Sequence, residues 1–454
     1  MKKIYLTALL VSVLTVSMIA QDTDAWTLDD CIIQAMENNI TLKRQELSAE
    51  LDRKDLTQSK LNLLPNLNGQ VEHNLGSGRV LDRGTYQWLN TDVSQGDLGM
   101  VSNVTLFGGL KGYNAIKMSE ANYNVSRANL KVMENNLLLQ VMNGYLELLR
   151  RTELYEIAVE KARITNLQVE RMKKLVEVGN ASMGDLLEVS AQASKEIYNT
   201  TQAGTLMEST RLSLVQILNL NSLDSFEIVK PAISDPSLLQ IPGLAEVFAS
   251  AVEILPMIEG AEQQIHYQEK NLAHARGSLS PELYIRALYY SNYSDKLINP
   301  REIDPFNPVL EYPVDQQILD NQYRQVSVGL NIPVFNKWQN RTNISKAKIN
   351  LLDAQYQLDD TKQQLFKAIQ GYHADARGAL DNYEAAERSF ANSEEAYRYA
   401  EEKFKVGMVT VLELEEARNR LFETRSEMTT SKFEFVFYMK ILDFYQGKAI
   451  TLQE

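Results

Sequence analysis

A short turn occurs twice in this chain, more than two hundred residues apart. The stretches KLVEVGNASMGDLLEVSAQA and FKVGMVTVLELEEARNRL both carry Val-Gly, a hydroxyl residue three positions later and an acid after three more. Gly179, Ser182 and Asp185 correspond to Gly407, Thr410 and Glu413, at a constant shift of 228 residues. A repeat of this kind indicates that one structural unit has been built twice.

The repeat extends beyond these turns. Pro65 corresponds to Pro281 at a shift of 216, whereas NVTLFGG (103–109) corresponds to NIPVFNK (331–337) at 228. The difference of twelve residues predicts an insertion in DKLINPREIDPFNPVLEYPVDQQ (295–317), whose prolines and polar residues favour a loop.

Each repeat is predicted to contain a helix, two strands, a very long helix and, after the glycine turn, a further helix. The three helices of the first repeat are expected at 28–63, 112–178 and 182–217, and those of the second at 243–278, 340–406 and 410–445. At 1.5 Å per residue, a long helix measures roughly 100 Å and two shorter helices end to end roughly 108 Å. The shorter helices could therefore form a second, broken column beside the long one.

These elements give the expected domain organisation. Residues 1–20 form a signal peptide, in which Lys2 and Lys3 precede an apolar run that ends at Ala20. The first repeat covers 21–220, an irregular connection 221–242, the second repeat 243–446 and a short tail 447–454.

The predicted strands alternate between apolar and polar residues. In RQVSVGLNIPVF, Val326, Val328 and Leu330 point one way, while Ser327 and Gly329 point the other. The earlier strand DLGMVSNVTLF places Leu98, Met100, Val104 and Leu106 on its apolar face. Such a face could be the buried side of a soluble sheet or a lipid-facing surface. The small number of strands, with no helix between them to cover the face, favours lipid.

Composition excludes several classes. The net charge of −13 argues against a nucleic-acid-binding protein, and no partner of that kind is expected. Cys31 is the only cysteine, so the chain has no internal disulfide, and its apolar neighbours predict a buried thiol. The four histidines lack the spacing of a zinc-binding helix. We expect no enzyme activity, no cofactor and no metal site.

Four strands cannot close a barrel, and open strand edges are not viable in lipid. Symmetric assembly would remove the edges. A homotrimer would supply twelve strands, an even number within the range of outer-membrane barrels. The expected fold class is therefore mainly α with a β-barrel portion, in which long coiled-coil helices form a tunnel and each protomer adds four strands.

With this tandem order of elements, the VGN-S-D and VGM-T-E turns and the opening WTLDDCIIQAMENN, the chain resembles the TolC family of outer-membrane efflux ducts. The resemblance covers nearly all of the chain after residue 20. It implies a homotrimer in the outer membrane, contacting its lipid, with a helical tunnel in the periplasm. It also implies two partners, a periplasmic adaptor protein and an inner-membrane pump, and passive conduction of the cargo that the pump selects.

The resemblance places the glycine turns at the periplasmic tip, where the adaptor docks. The residues expected to form these turns and the docking surface are Gly179, Asn180, Ser182, Asp185, Gly407, Met408 and Thr410. Independently of the resemblance, Ser182 with Asp185 and Thr410 with Glu413 have the spacing of a helix capping box.

Glu413 and Glu416 are predicted to lie on one helical face. The resemblance makes them pore-lining acids at the constriction, where a threefold ring of carboxylates would favour cations. Glu415, on the adjacent face, is expected to be solvated. At the position of Val409, some family members carry an arginine that latches the closed tip. This chain lacks that arginine, which suggests that its tip closes by packing around Phe404.

A second interpretation is an exported structural coiled-coil protein without a pore. It would account for the long helices and the signal peptide. It leaves the paired strands of each repeat and their apolar faces unexplained.

Overall fold

The computed structural model of the chain describes residues 25–81, 87–220, 226–232, 235–297, 299 and 312–452. The predicted signal peptide lies outside these residues, as does most of the predicted insertion at 295–317. Two compact units are present: one comprises Met1–Ile40, Glu134–Ser250 and Ala368–Glu454, and the other comprises Thr41–Met133 and Ala251–Lys367.

Both repeats show the predicted order of elements. The first contains helices α1 (Leu28–Asn38), α2 (Ile40–Leu61), α3 (Lys111–Glu177) and α4 (Met183–Ile217), with strands β1 (Asn68–Leu81) and β2 (Trp88–Phe107) between α2 and α3. The second contains α5 (Leu244–Ile254), α6 (Pro256–Gly277), β3 (Glu282–Ser294), α7 (Val314–Asp320), β4 (Tyr323–Asn331), α8 (Gln339–Lys405) and α9 (Val411–Tyr445).

The lengths of the long helices agree with the prediction. Both α3 and α8 have 67 residues, and both α4 and α9 have 35. The predicted boundaries of these four helices lie within one residue of the observed ones, and a glycine, Gly179 or Gly407, follows each long helix.

The first helix of each repeat was predicted to be continuous, and this prediction was wrong. Asn39 separates α1 from α2, and Leu255 separates α5 from α6; both residues have extended backbones, with ψ near 117° and 128°. Leu255 precedes Pro256, which disfavours the helical conformation of the residue before it. The two breaks are themselves equivalent positions of the repeat, since they differ by the shift of 216 residues.

The four strands form one antiparallel sheet in the order β1-β2-β3-β4, so that β1 and β4 are its edges. Residues that pair across strands point to the same face. One such row joins Val104, Ile285 and Val328, and the next joins Ser102, Ala287 and Val326. The predicted apolar face is therefore real, and it is exposed: Val326 retains 74% of its surface.

The opposite face of the sheet is polar. The residues on it that carry polar side chains include Asn68, Gln70, Glu72, Asn74, Asp97, Asn103, Arg286, Asn292, Gln325 and Ser327. Tyr290 donates a hydrogen bond to Asp97 on this side. The sheet thus separates a polar from an apolar surface within a single layer.

The short helix α7 was not predicted; part of the segment expected to be a loop is helical. It packs against the part of β3 that extends past Tyr323, the first residue of β4. Gln317 Oε1 accepts from the Ser294 amide (2.8 Å), and Asn321 Nδ2 donates to the Asn292 carbonyl (2.8 Å). The polar side chains around α7 thereby satisfy a strand edge that would otherwise be unpaired.

No helix in the described part of the chain is long and apolar enough to cross a membrane.

In the unit that comprises Met1–Ile40, Glu134–Ser250 and Ala368–Glu454, Tyr145 joins three segments that are distant in sequence. Its side chain is 1% exposed, and its hydroxyl lies 2.7 Å from the Val229 carbonyl and 3.1 Å from the Trp26 carbonyl. Trp26 also forms a parallel bridge with Ile228. Cys31 is fully buried nearby, as predicted, and burial raises the pKa of its thiol to about 12.

Replacement of Tyr145 by Phe tests this junction. The substitution leaves the Val229 carbonyl without its donor, while the Trp26 carbonyl still accepts from the Val229 amide (2.9 Å). We expect the free energy of unfolding to fall by about 1–3 kcal/mol. Chemical denaturation followed by circular dichroism measures the change. Tyr198→Phe is the matched control, because Tyr198 is 66% exposed and should be nearly neutral. Equal effects of the two substitutions would contradict the role assigned to Tyr145.

Candidate functional site

The first glycine turn ends α3 in a left-handed conformation. Gly179 has φ of +77°, its amide donates to the Val176 carbonyl (3.0 Å), and the Asn180 amide donates to the Leu175 carbonyl (2.7 Å). This pair of bonds is the Schellman motif, which satisfies carbonyls that a helix C-terminus leaves free.

The second turn has the same construction at the end of α8. Gly407 has φ of +74°, its amide donates to the Phe404 carbonyl (3.1 Å), and the Met408 amide donates to the Lys403 carbonyl (2.9 Å). No atom outside the neighbouring residues would meet a side chain placed at either glycine. The glycines are therefore required by backbone conformation and not by close packing.

The helices that follow begin with capping boxes, as predicted. The Asp185 amide donates to Ser182 Oγ (3.1 Å), while the Asp185 carboxylate accepts from the Ser182 amide (3.0 Å). Thr410 and Glu413 repeat the arrangement at the start of α9, with distances of 3.2 and 2.7 Å. Each box satisfies two amides of a helix N-terminus.

These bonds stabilise the ionised form of both acids. The hydroxyl of Ser182, followed by its amide, lowers the pKa of Asp185, and the amide of Thr410, followed by its hydroxyl, lowers the pKa of Glu413. Glu413 is thus engaged by its own helix terminus. Glu416, three residues further, is exposed and has neither a hydrogen bond nor an ion pair within the described part of the chain.

Exposed apolar side chains surround both turns. Met408 retains 74% of its surface and Val406 retains 69%. The others with more than half of their surface exposed are Val178, Met183, Leu187 and Leu412. Large exposed apolar patches of this kind mark surfaces that bind other proteins.

The ends of α3 and α8 contact each other near the turns. The Arg171 guanidinium lies over the ring of Phe404, 5.4 Å from its centroid. This cation–π contact involves the aromatic side chain that was predicted to pack at the tip. Val409, at the position where the resemblance would allow a latch arginine, is half-buried.

The prediction that Glu415 is solvated was wrong. Glu415 is 7% exposed and forms an ion pair with Arg418, which is 2% exposed. Apart from this ion pair, the Glu415 oxygens and the Arg418 Nε have no hydrogen-bond partner among the residues described. Burial lowers the pKa of Arg418, and electrostatic interactions with Tyr397 and then with Glu196 oppose that shift. Because Glu415 and Arg418 are both buried, each needs the other to compensate its charge.

Glu196, on α4, is the centre of a second buried charge cluster. It is 2% exposed, lies 3.1 Å from Lys161 Nζ of α3, and accepts from Asn199 (3.2 Å) and from Gln192. This interaction joins the two helices of the first hairpin about 14 residues, or roughly 20 Å, from the turn.

Neither cluster was predicted from the sequence, although the spacing of apolar residues indicates both. Arg418 lies four residues after Leu414 and four before Phe422, and both of these apolar residues are buried. That spacing places Arg418 on the inward face of α9. Glu196 likewise lies three residues after Ala193 and seven after Val189, both buried, which places it on the inward face of α4.

Replacement of Gly407 by Ala tests the conformational requirement of the turn. A side chain in the left-handed region costs about 1–2 kcal/mol, so we expect lower thermal stability. Gly378→Ala is the control: Gly378 lies in α8 with open space around it, and there the substitution should stabilise by about 0.5–1 kcal/mol. Scanning calorimetry of both variants measures the difference, and a stabilised Gly407→Ala protein would refute the requirement.

A double-mutant cycle tests the buried ion pair. Arg418→Met leaves Glu415 buried and unpaired, and we expect a loss of about 3–5 kcal/mol in the free energy of unfolding. Glu415→Leu combined with Arg418→Met should recover most of that loss, because no buried charge remains. The exposed Glu170–Lys173 pair is the control and should contribute less than about 1 kcal/mol. Additive effects of the two substitutions would exclude the coupling.

Within the described residues, no group of three or more His, Cys, Asp or Glu side chains is placed to hold a metal ion.

Known proteins are similar to this chain in sequence and in architecture. The outer membrane efflux protein BepC of Brucella suis biovar 1 is 20% identical over 410 residues, which are 90% of this chain and 83% of that protein. The cation efflux system protein CusC of Escherichia coli O157:H7 is 23% identical, over 87% of this chain and 80% of that protein. The crystal structure of the Campylobacter jejuni CmeC outer membrane channel superimposes with a TM-score of 0.76 at 16% identity, over 95% and 88% of the two chains.

These structural likenesses confirm the fold, a helical tunnel portion combined with a β-barrel portion. The sequence profile of a family described as outer membrane efflux protein matches residues 31–220 and 255–432, one segment in each repeat. The two segments together cover well over half of the chain. The protein therefore belongs to the outer membrane efflux protein family, whose members are channels of the outer membrane.

Proposed function

We propose that the protein is a homotrimeric exit duct of a tripartite efflux or secretion system. The observation that carries this proposal is the sheet, which has two unpaired edges, an exposed apolar face and a polar opposite face. Three copies joined edge to edge would form a closed twelve-stranded barrel. Its apolar face would contact lipid and its polar face would line a water-filled lumen.

The dimensions of the sheet support this arrangement. The strands have 14, 20, 13 and 9 residues, against the roughly 9–11 that a tilted strand needs to cross a bilayer. Exposed aromatic residues flank the apolar face: Trp88 lies at one end of the sheet, and Phe107 and Phe335 lie at the other. Aromatic residues at both interfaces are typical of outer-membrane barrels.

The partners of the duct are a periplasmic adaptor protein and an inner-membrane pump. The apolar side chains around Gly179 and Gly407 offer the adaptor two equivalent docking elements in each protomer, six in the trimer. The polar turn residues Asn180, Ser182, Asp185 and Thr410 would form hydrogen bonds around them. Cargo passes through the duct down its gradient, and the pump selects it.

The acids of α9 give the duct its ion preference in this proposal. Glu413 and Glu416 lie on one exposed face close to the turn, and threefold symmetry would bring six carboxylates towards the axis. Rings of acidic side chains favour cations in channels. Because Glu413 is engaged in its capping box, Glu416 is expected to make the larger contribution.

The alternative, an exported coiled-coil protein without a pore, differs in a property that can be measured. It predicts a protein that remains soluble without detergent. The proposed duct requires detergent and forms trimers that dissociate on heating. The exposed apolar face of the sheet favours the duct.

Planar-bilayer recording tests the proposed conduction. We expect small, cation-selective current steps from the purified protein under a salt gradient. Glu416→Gln should move the reversal potential towards zero, because three negative charges are removed from the constriction. Absence of current from a trimer inserted in the bilayer would contradict conduction by the resting protein.

Two variants control for this effect. Glu170→Gln removes an exposed acid that is paired with Lys173 on α3, and it should leave the reversal potential unchanged. Glu413→Gln removes both a charge and a capping interaction, so that a change in stability should accompany its smaller change in selectivity. Equal shifts in reversal potential from Glu170→Gln and Glu416→Gln would refute a local acidic ring.

A further inference from the structure

Two arginines interrupt the apolar face of the sheet, one on each edge strand. Arg79 lies two residues before the end of β1, and Arg324 is the second residue of β4. These are the ends of the strands farthest from the helices α2 and α8, which precede β1 and follow β4 at the other end of the sheet. Both arginines are exposed.

The register assigns both side chains to the apolar face. Arg324 pairs with Tyr289, which pairs with Met100 in the row above Ala287 and Val326. Arg79 pairs with Asn90 and has the same parity along β1 as Val71 and Leu75, the exposed apolar residues of that strand.

Each guanidinium is held over an aromatic ring on the same face. Arg79 lies 5.6 Å from the ring centroid of Trp88, and Arg324 lies 5.9 Å from that of Tyr289. Arg324 also donates to Gln322 (2.9 Å). Stacking of this kind orients the planar guanidinium and leaves its N–H groups available to an anion.

Neither arginine is neutralised by an acid of its own protomer. Asp92 shares the face with Arg79, one row away, but no carboxylate lies within ion-pair distance of either guanidinium among the residues described. By contrast, eight of the sixteen arginines in the described helices pair with a glutamate three or four residues away, as in Arg163–Glu160 and Arg211–Glu208.

The ends of the strands are staggered in a way that brings the two positions together. The β1–β2 pairing extends to Leu81 and Trp88, whereas the β3–β4 pairing already ends at Tyr290 and Tyr323. Such stepwise ends are those of strands tilted in a barrel wall. In the trimeric closure proposed above, on which this step rests, β4 of one protomer pairs with β1 of the next. Arg324 and Arg79 then flank the same seam at the outer rim.

We propose that Arg79 and Arg324 bind the phosphate of a lipid headgroup in the outer leaflet of the outer membrane, at three equivalent seams of the trimer. Guanidinium groups bind phosphate through paired, charge-assisted hydrogen bonds. The exposed apolar residues that follow the arginines on the same strands, towards the helices, are Leu75 on β1 and Val326 and Val328 on β4, and they lie where the acyl chains of the same lipid would pack. This juxtaposition of cation and apolar surface fits a phosphorylated lipid better than free phosphate.

Native mass spectrometry of the purified trimer in detergent tests the proposal. The probes are diphosphorylated lipid A, the same lipid A after enzymatic dephosphorylation, and inorganic phosphate. We expect the wild-type trimer to retain up to three molecules of the phosphorylated lipid and far less of the dephosphorylated lipid. The double variant Arg79→Gln and Arg324→Gln should bind the phosphorylated lipid at least tenfold more weakly.

Arg286→Gln is the matched control, because Arg286 is an exposed arginine of the same sheet on its polar face. It should retain wild-type binding. Loss of binding in Arg286→Gln equal to that in the double variant would overturn the proposal, as would equal retention of both lipids. Binding of inorganic phosphate at millimolar concentration, without retention of either lipid, would show a site for free anions and would also overturn the proposal.

The same spectra show separately whether the protein is a trimer, as the seam requires, and whether the two arginines bind lipid. A monomeric wild-type protein that retains phosphorylated lipid through these arginines would refute the trimer and support binding by single arginines. Should the double variant fail to assemble, the single variants Arg79→Gln and Arg324→Gln are measured. Each should bind at least threefold more weakly, and wild-type binding by both would overturn the proposal.

Discussion

The unpaired edges of β1 and β4 set the requirement on which the rest of this architecture depends. In hydrocarbon, each backbone group without a hydrogen-bond partner costs several kcal/mol, so that an open four-stranded sheet cannot remain in a membrane. Beyond the end of β4, the chain satisfies part of the β3 edge with Gln317 and Asn321. Along β1 and β4 no such device is present in the described residues, and these edges are suited to pairing with further copies of the sheet.

The helices meet a different constraint, because a 67-residue helix cannot be stabilised by intrinsic propensity and needs lateral partners. Doubling the repeat supplies them: each repeat provides one long helix together with shorter helices that are broken at equivalent positions, Asn39 and Leu255. Glycine turns then end both long helices with identical hydrogen bonds. One local solution, used twice, serves both halves of the chain.

The sequence predicted most accurately those features that depend on neighbouring residues. The Schellman turns and capping boxes need only a glycine, a hydroxyl and an acid at fixed spacing, and all were found as expected. The break at Asn39 has no proline to mark it, but the equivalent break at Leu255 was also missed although Pro256 follows it. Helix α7 was missed because the surrounding prolines suggested a loop. Glu415 was misassigned because charge was taken to mean exposure, whereas the side chain that pairs with it, Arg418, lies on the inward face of α9. Such long-range placement depends on helices that are distant in sequence.

The buried charges near the turns bear on which acid can act in conduction. A buried ion pair is weak evidence for stability, since the cost of desolvating both charges can exceed their attraction. Glu415 and Arg418 lie three residues apart on α9, so their pair is formed within this helix and moves with it. Both side chains lie on the buried face of α9, whereas Glu413 and Glu416 lie on its exposed face. On that exposed face Glu413 is bound by Thr410, so that Glu416 is the one of these two acids whose carboxylate is left unengaged among the described residues.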